Sequence, residues 1–169
     1  MNSINCQAFH FEDDGSIPNN ELPLLLYPQA LSDEQLDPDK CIRLLADHGW
    51  TGAWVNGIFP YHHYHSNAHE VLAVIGGSAR VMLGGPEGEE VEIKAGDVVL
   101  IPAGVGHCRL SSSGGFRVVG AYDRGLSYDL CKGDPGERPQ VLVNIKQVPM
   151  PKQDPVTGER ELLYGCWRD

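Results

Sequence analysis

The sequence predicts an all-β protein, an antiparallel sandwich or barrel with one short N-terminal helix and an extension at each end. Three observations carry this. Between Gly52 and Tyr122, short β-type runs follow one another at regular spacing: "GAWVNGIF", "EVLAVI", "ARVML", "EVEIK", "DVVLIP" and "FRVVGAY". Glycine-rich turns such as "GGPEGEE" separate them, a pattern that argues against alternating strands and helices. At 169 residues, 41% apolar and 21% charged, the chain suits one globular domain with a real core.

Taken in order, residues 1–50 read as an N-terminal extension. There "ELPLLLYP" is an apolar run between prolines, and "SDEQLDPDKCIRLLADHGW" carries a helix. Asp37 is placed to cap it, Pro38 to fill its first position and Gly49 to follow its last turn. Cys41, Leu44, Leu45 and His48 recur at i, i+3, i+4 and i+7, so His48 belongs to a packing face rather than to a ligand set. Residues 51–123 form the β core. Residues 124–169 form a C-terminal extension rich in Pro, Gly and charge, with a strand expected at "VLVNI" and an apolar ending, "ELLYGCW", expected to wrap the β core or a partner subunit.

Composition narrows the function classes. With 13 basic against 23 acidic side chains, the net charge of −10 repels nucleic acid and anionic lipid, so a small molecule or another protein is the expected partner. The N-terminus lacks a basic stretch followed by an apolar one, and no run reaches the roughly 18 apolar residues of a membrane span. A cytoplasmic, unanchored protein is expected. Five cysteines, odd in number and never in a CxxC pair, suggest neither a disulfide framework nor a zinc knuckle.

One segment asks for a chemical explanation. "YHHYHSNAHE", Tyr61 to Glu70, holds four of the chain's seven histidines. In an extended strand His63 and His65 face one side while His62 and Tyr64 face the other. A hairpin after "SNAH" would return Glu70 to the same side, and two histidines with one carboxylate make a divalent-metal chelate with room for more ligands. His107, after the glycine-rich turn of "AGDVVLIPAGVGHC", can supply a fourth group. By the same parity, His62 and His69 lie off the ligand face and read as supporting or surface groups. Cys108 should point away from the metal, and Tyr61 and Trp54 read as packing aromatics. Arg80 and Arg117 interrupt apolar strands; either one, turned inward, would clamp a substrate carboxylate, and turned outward it would be a surface residue.

"GIFPYHHYHSNAHEVLAVIGG" resembles the first cupin motif, GxxxxxHxHxxxxExxxxxxG, with Gly57, His63, His65, Glu70 and Gly77 in place. "GDVVLIPAGVGH" resembles the second, GxxxxxPxGxxH, with Gly96, Pro102, Gly104 and His107. The asparagine that often ends the second motif is Ser111 here. Beyond the motifs, "HHYHSNAHEVLAVIGGSARVML", "KAGDVVLIPAGVGH" and "VVGAYDRG...GDPGERP" are similar to the YjlB-like cupins.

The resemblance implies a single double-stranded β-helix, the cupin jelly-roll barrel, in which His63, His65, Glu70 and His107 hold one divalent metal, whether iron, manganese, nickel, cobalt, copper or zinc. Such a site leaves coordination positions open, which implies a metal-dependent enzyme of dioxygenase type acting on a small polar metabolite; the alternative is a metal- or ligand-binding module without turnover. It also implies a homodimer. A metal-free epimerase on the same scaffold is the weakest reading, because the chelating set is intact.

Overall fold

Three strands carry unbroken apolar runs, and the side chains of those runs alternate between two separate cores. These are β2 (Asn20–Tyr27), β4 (Glu70–Gly76) and β7 (Val98–Ile101). Leu24, Leu26, Leu72, Val74, Val99 and Ile101 enter one core. Leu25, Tyr27, Val71, Ala73, Val98 and Leu100 enter the other. Alternation with period two makes this division, and burial on both faces explains why these strands read as unbroken apolar runs.

The computed structural model describes residues 5–167. The remaining strands are β1 (Gln7–Phe11), β3 (Trp50–Asn56), β5 (Ser78–Leu83), β6 (Glu89–Lys94), β8 (His107–Ser112) and β9 (Arg117–Asp123). They form a six-stranded sheet in the order β1-β2-β7-β4-β9-β3 and a three-stranded sheet in the order β6-β5-β8. Every pairing is antiparallel. The two sheets face each other as an open jelly-roll sandwich and are not hydrogen-bonded into a closed barrel. Between them lies the first core, completed by Ala79, Val81, Leu83, Ile93 and Val105.

The second core lies on the outer face of the large sheet, covered by the chain's two ends. Helix α1 (Pro38–Asp47) has Asp37 as its cap, accepting from Lys40 N at 3.0 Å, and Pro38 at its start. It buries Cys41 and Leu45 there. Helix α3 (Arg160–Cys166) brings Leu163, followed by Trp167, against the same face. Trp167 Nε1 donates to Pro23 O at 2.7 Å, so the indole is buried with its polar atom satisfied. Each fully buried side chain of this size contributes about 1.5–3 kcal/mol. The ends also meet directly: Cys6 Sγ lies 3.3 Å from Cys166 Sγ, and burial pushes the Cys6 thiol up to about 12. Tyr27 OH donates to Asp154 Oδ2 at 2.5 Å, which ties the loop before α3 to β2.

Two expectations differ from what is observed. The first fifty residues contain strands: β1 and β2 form one edge of the large sheet, where the sequence suggested only an apolar run. "VLVNI" is not a strand but part of helix α2 (Gln140–Gln147). Val141, Leu142 and Ile145 recur at helical spacing, and Val141 packs with Ile17, Tyr64 and Cys131 in a small separate cluster. Among the described residues no helix is long and apolar enough to cross a membrane.

Candidate metal centre

Backbone hydrogen bonds hold the two histidine-bearing segments together before any side chain contributes. His63 and His107 pair as an isolated antiparallel bridge, with His63 N donating to His107 O at 3.2 Å and His107 N to His63 O at 2.9 Å. Gly104 N donates to His65 O at 2.7 Å. Gly104 has φ +89°, and a Cβ there would stand 2.5 Å from Asn19 O, so only glycine allows the turn that aims His107 inward. Of the other motif glycines, Gly77 and Gly96 also take positive φ while Gly57 does not. Glu70 opens β4 between its neighbours Ile101 and Tyr122.

This frame brings three imidazoles to one point. One nitrogen from each of His63, His65 and His107 lies within 4.8 Å of the others. In each ring Nδ1 faces a backbone carbonyl: Tyr61 O at 2.9 Å for His63, Asp129 O at 2.5 Å for His65 and Val105 O at 3.2 Å for His107. A carbonyl only accepts, so each Nδ1 carries a hydrogen, and it is Nε2 that each ring, when neutral, offers as a lone pair. Glu70 Oε1 stands 3.2 Å from His107 Nε2 and 3.6 Å from His65 Nε2. It is buried and makes no hydrogen bond.

The electrostatics follow from that enclosure. Burial, then the neighbouring His107, lowers His63 to about 3. Burial alone would lower His65, but the Glu70 carboxylate and the Asp129 carbonyl outweigh it and raise the group above its ordinary value. Burial would raise Glu70, yet His107 and His65 hold its carboxyl below the usual range. In their neutral form the three imidazoles present lone pairs beside an anionic oxygen, a donor set that a divalent cation satisfies, and second ring nitrogens anchored on carbonyls are the usual support of ligating histidines.

A cavity of about 540 Å³ opens above the imidazoles. Trp54, Ile58 and Leu72 line its depth, and Phe59, Tyr128 and Leu130 stand at its exposed rim. Trp54 Nε1 donates to Tyr122 OH at 2.9 Å. Tyr122 stacks on Tyr128 with ring centroids 4.4 Å apart. The segment carrying Tyr128 is strapped down by Asp129, whose carboxyl accepts from Ser66 N at 2.6 Å and Ser66 Oγ at 2.5 Å.

The neighbouring residues divide as parity predicts. Tyr64 faces away and donates to Glu137 Oε1 at 2.8 Å. Cys108 is buried but does not border the cavity. His69 is buried beside Trp167 with the opposite tautomer: Ala103 N donates to its Nδ1 at 2.9 Å, so the hydrogen is on Nε2. His62 is half-buried and outside the imidazole cluster. His48 Nδ1 bonds Pro155 O at 2.8 Å, against the C-terminal segment. Arg80 is exposed and paired with Glu90 and Glu92, and Arg117 is exposed, so neither enters the cavity. Arg109 does border it, and the sequence reading passed it over. The signal was available, since Arg109 follows His107 by two residues on one strand. Nothing in the sequence pointed to Tyr122, Tyr128 or Asp129.

Comparison with known proteins gives the family. Residues 53–114 match the family model described as "Cupin domain". YjlB of Bacillus subtilis (strain 168), an uncharacterized protein, is 47% identical over 162 residues, covering 95% of this chain and 96% of YjlB. Among solved structures, acireductone dioxygenase from Bacillus anthracis with a cadmium ion in its active centre has a TM-score of 0.41 at 17% identity, covering 73% of this chain and 82% of that one. A double-stranded β-helix protein from Klebsiella pneumoniae has a TM-score of 0.37 at 23% identity, covering 47% of this chain and 70% of that one. Likeness at the structural level assigns no residue a role. The relative that spans almost the whole chain, together with both histidine motifs, makes this protein a member of the cupin superfamily and of its YjlB-like family.

Proposed function

We propose that the protein is a divalent-metal-dependent enzyme acting on a small metabolite, with His63, His65, Glu70 and His107 as the ligands and dioxygenase-type chemistry as the reaction class. One observation carries the metal reading: the buried Glu70 Oε1 without a hydrogen bond, facing imidazole lone pairs whose opposite nitrogens are fixed on carbonyls. An isolated buried carboxylate is costly, and a cation is what relieves this one.

A divalent ion held by three imidazole nitrogens and one carboxylate would keep room for a substrate oxygen and a second small reactant. A bound divalent ion of this kind supplies Lewis acidity or redox chemistry at those positions. The chain's own groups do the rest. The carbonyls of Tyr61, Val105 and Asp129 keep the rings from turning. Trp54, Ile58 and Leu72 give the cavity apolar lining. Burial and the nearby Glu70 push the Tyr122 phenol above its ordinary value, so its hydroxyl keeps its proton while accepting from Trp54. It is therefore a fixed donor at the cavity wall.

The test is oxygen consumption by protein reconstituted anaerobically with Fe(II), Mn(II) or Ni(II), supplied with a panel of small oxygen-chelating metabolites. Substrate-dependent uptake that disappears in His65→Ala and Glu70→Ala is the expected result. Turnover that persists without oxygen would replace the reaction class and leave the metal site standing.

A further inference from the structure

Arg109 stands two residues beyond His107 on β8, so the two side chains share a face of the strand. Both border the cavity, and Cys108 between them does not. Arg109 is the one arginine or lysine among the residues lining that space, and Glu70 the one acid.

Arg43, Arg117 and Arg160 also lack an ion pair among the described residues, but only Arg109 combines that with a place at the cavity. Arg80, Arg124 and Arg138 each contact a carboxylate at 2.6–2.8 Å. Arg109 donates from Nη1 to Ser112 Oγ at 3.2 Å, and among the described residues it forms no ion pair. A guanidinium has five N–H donors in a rigid fork, so most of this one's capacity is uncommitted. It is half-buried in a protein of net charge −10, where an anion is drawn in only by a local cation. Four aromatic rings line the same space: Trp54, Phe59, Tyr122 and Tyr128.

We infer that the cavity takes a small metabolite carrying a carboxylate on a flat or apolar body, with Arg109 gripping the carboxylate and the aromatic walls enclosing the body. A planar carboxylate matches the guanidinium fork with two parallel hydrogen bonds. A phosphate carries more charge and more acceptors than one guanidinium satisfies. The inference rests on the metal reading only in placing the substrate's other end toward the imidazoles; the grip itself stands on the geometry of β8.

The probes are benzoate, its neutral isostere benzamide, and inorganic phosphate. Binding is followed by tryptophan fluorescence and ligand-observed NMR, in Mn(II)-treated and EDTA-treated wild type, Arg109→Lys and Arg109→Gln. Metal content and circular dichroism are recorded for each. Benzoate is expected to bind wild type in both states, about tenfold or more weaker in Arg109→Gln, and between the two in Arg109→Lys, which keeps the charge but loses the fork. Benzamide and phosphate should bind more weakly than benzoate, with metal content the same in all three proteins. No benzoate binding by wild type, equal binding to Arg109→Gln, or benzamide binding as well as benzoate would overturn the grip, and tighter phosphate binding would overturn the carboxylate. The two readings fail separately. Arg109-dependent benzoate binding in a protein that takes up no metal sinks the metal site alone, and full metal uptake with benzoate indifferent to Arg109 sinks the grip alone.

Discussion

Replacing Glu70 by Gln should move stability in opposite directions with and without metal. In the metal-free protein, Oε1 faces His107 Nε2 at 3.2 Å and His65 Nε2 at 3.6 Å without a hydrogen bond. With each ring neutral and its hydrogen on the Nδ1 that faces a carbonyl, those nitrogens are lone pairs facing an anion. A glutamine amide of the same shape places N–H donors there and removes the buried charge. Relief of an unsatisfied buried group is worth about 1–3 kcal/mol, or about 2–12 °C in Tm for a chain of this length. With metal present the sign reverses. A ligand at a hundred times its Kd stabilises wild type by about 2.7 kcal/mol, and the variant should forfeit most of that. The assay is differential scanning calorimetry of both proteins in EDTA and in a titrated series of Mn(II) or Ni(II). A metal-free variant less stable than metal-free wild type, yet stabilised equally by metal, would refute the reasoning.

Acid should weaken the fold through its buried neutral histidines. Burial, then Arg124, lowers His69 to about 3, and His63 is lowered to the same range. Their folded values lie below the unfolded value, so the unfolded chain binds more protons between about pH 6.5 and 3, and stability falls as pH drops through that window. Each histidine contributes up to about 1.4 kcal/mol per pH unit; His69→Asn, which keeps an acceptor for Ala103 N, should remove one such contribution from urea midpoints measured against pH, and an unchanged slope would count against it. Tyr27→Phe takes a donor from the fully buried Asp154 and should cost about 1.5–3 kcal/mol, read by urea denaturation. Gly120→Ala would set a Cβ 2.2 Å from the Trp54 ring; the indole must move and release Tyr122 OH, at a cost of about 1–3 kcal/mol with a shift in tryptophan emission.

The imidazole cluster was legible because its information is local. Parity alone puts His63 and His65 on one face and Tyr64 on the other, and the two motif spacings bring Glu70 and His107 to them. Arg109 obeys the same parity from His107, whereas Arg80 and Arg117, the arginines that interrupt apolar runs, lie beyond Gly76 and Gly77, across which alternation cannot be carried. The run at Leu24–Tyr27 was apolar enough to be a strand, yet a run buried on both faces has no alternation to display. "VLVNI" is the converse: four β-branched or apolar residues in five read as a strand, while Val141, Leu142 and Ile145 serve one helical face. The Asp129 carbonyl that holds His65 is backbone chemistry from a loop 64 residues away, and no side-chain pattern announces it.

The central claim is that His63, His65, Glu70 and His107 hold a metal, and elemental analysis tests it most directly. Protein purified without added metal would be measured beside His63→Ala and His107→Ala. The account predicts about one equivalent of a single first-row transition metal per chain in wild type, lost in both variants while circular dichroism stays the same. Wild type that takes up no metal from any of the six candidate ions, or variants that keep it, would contradict the account.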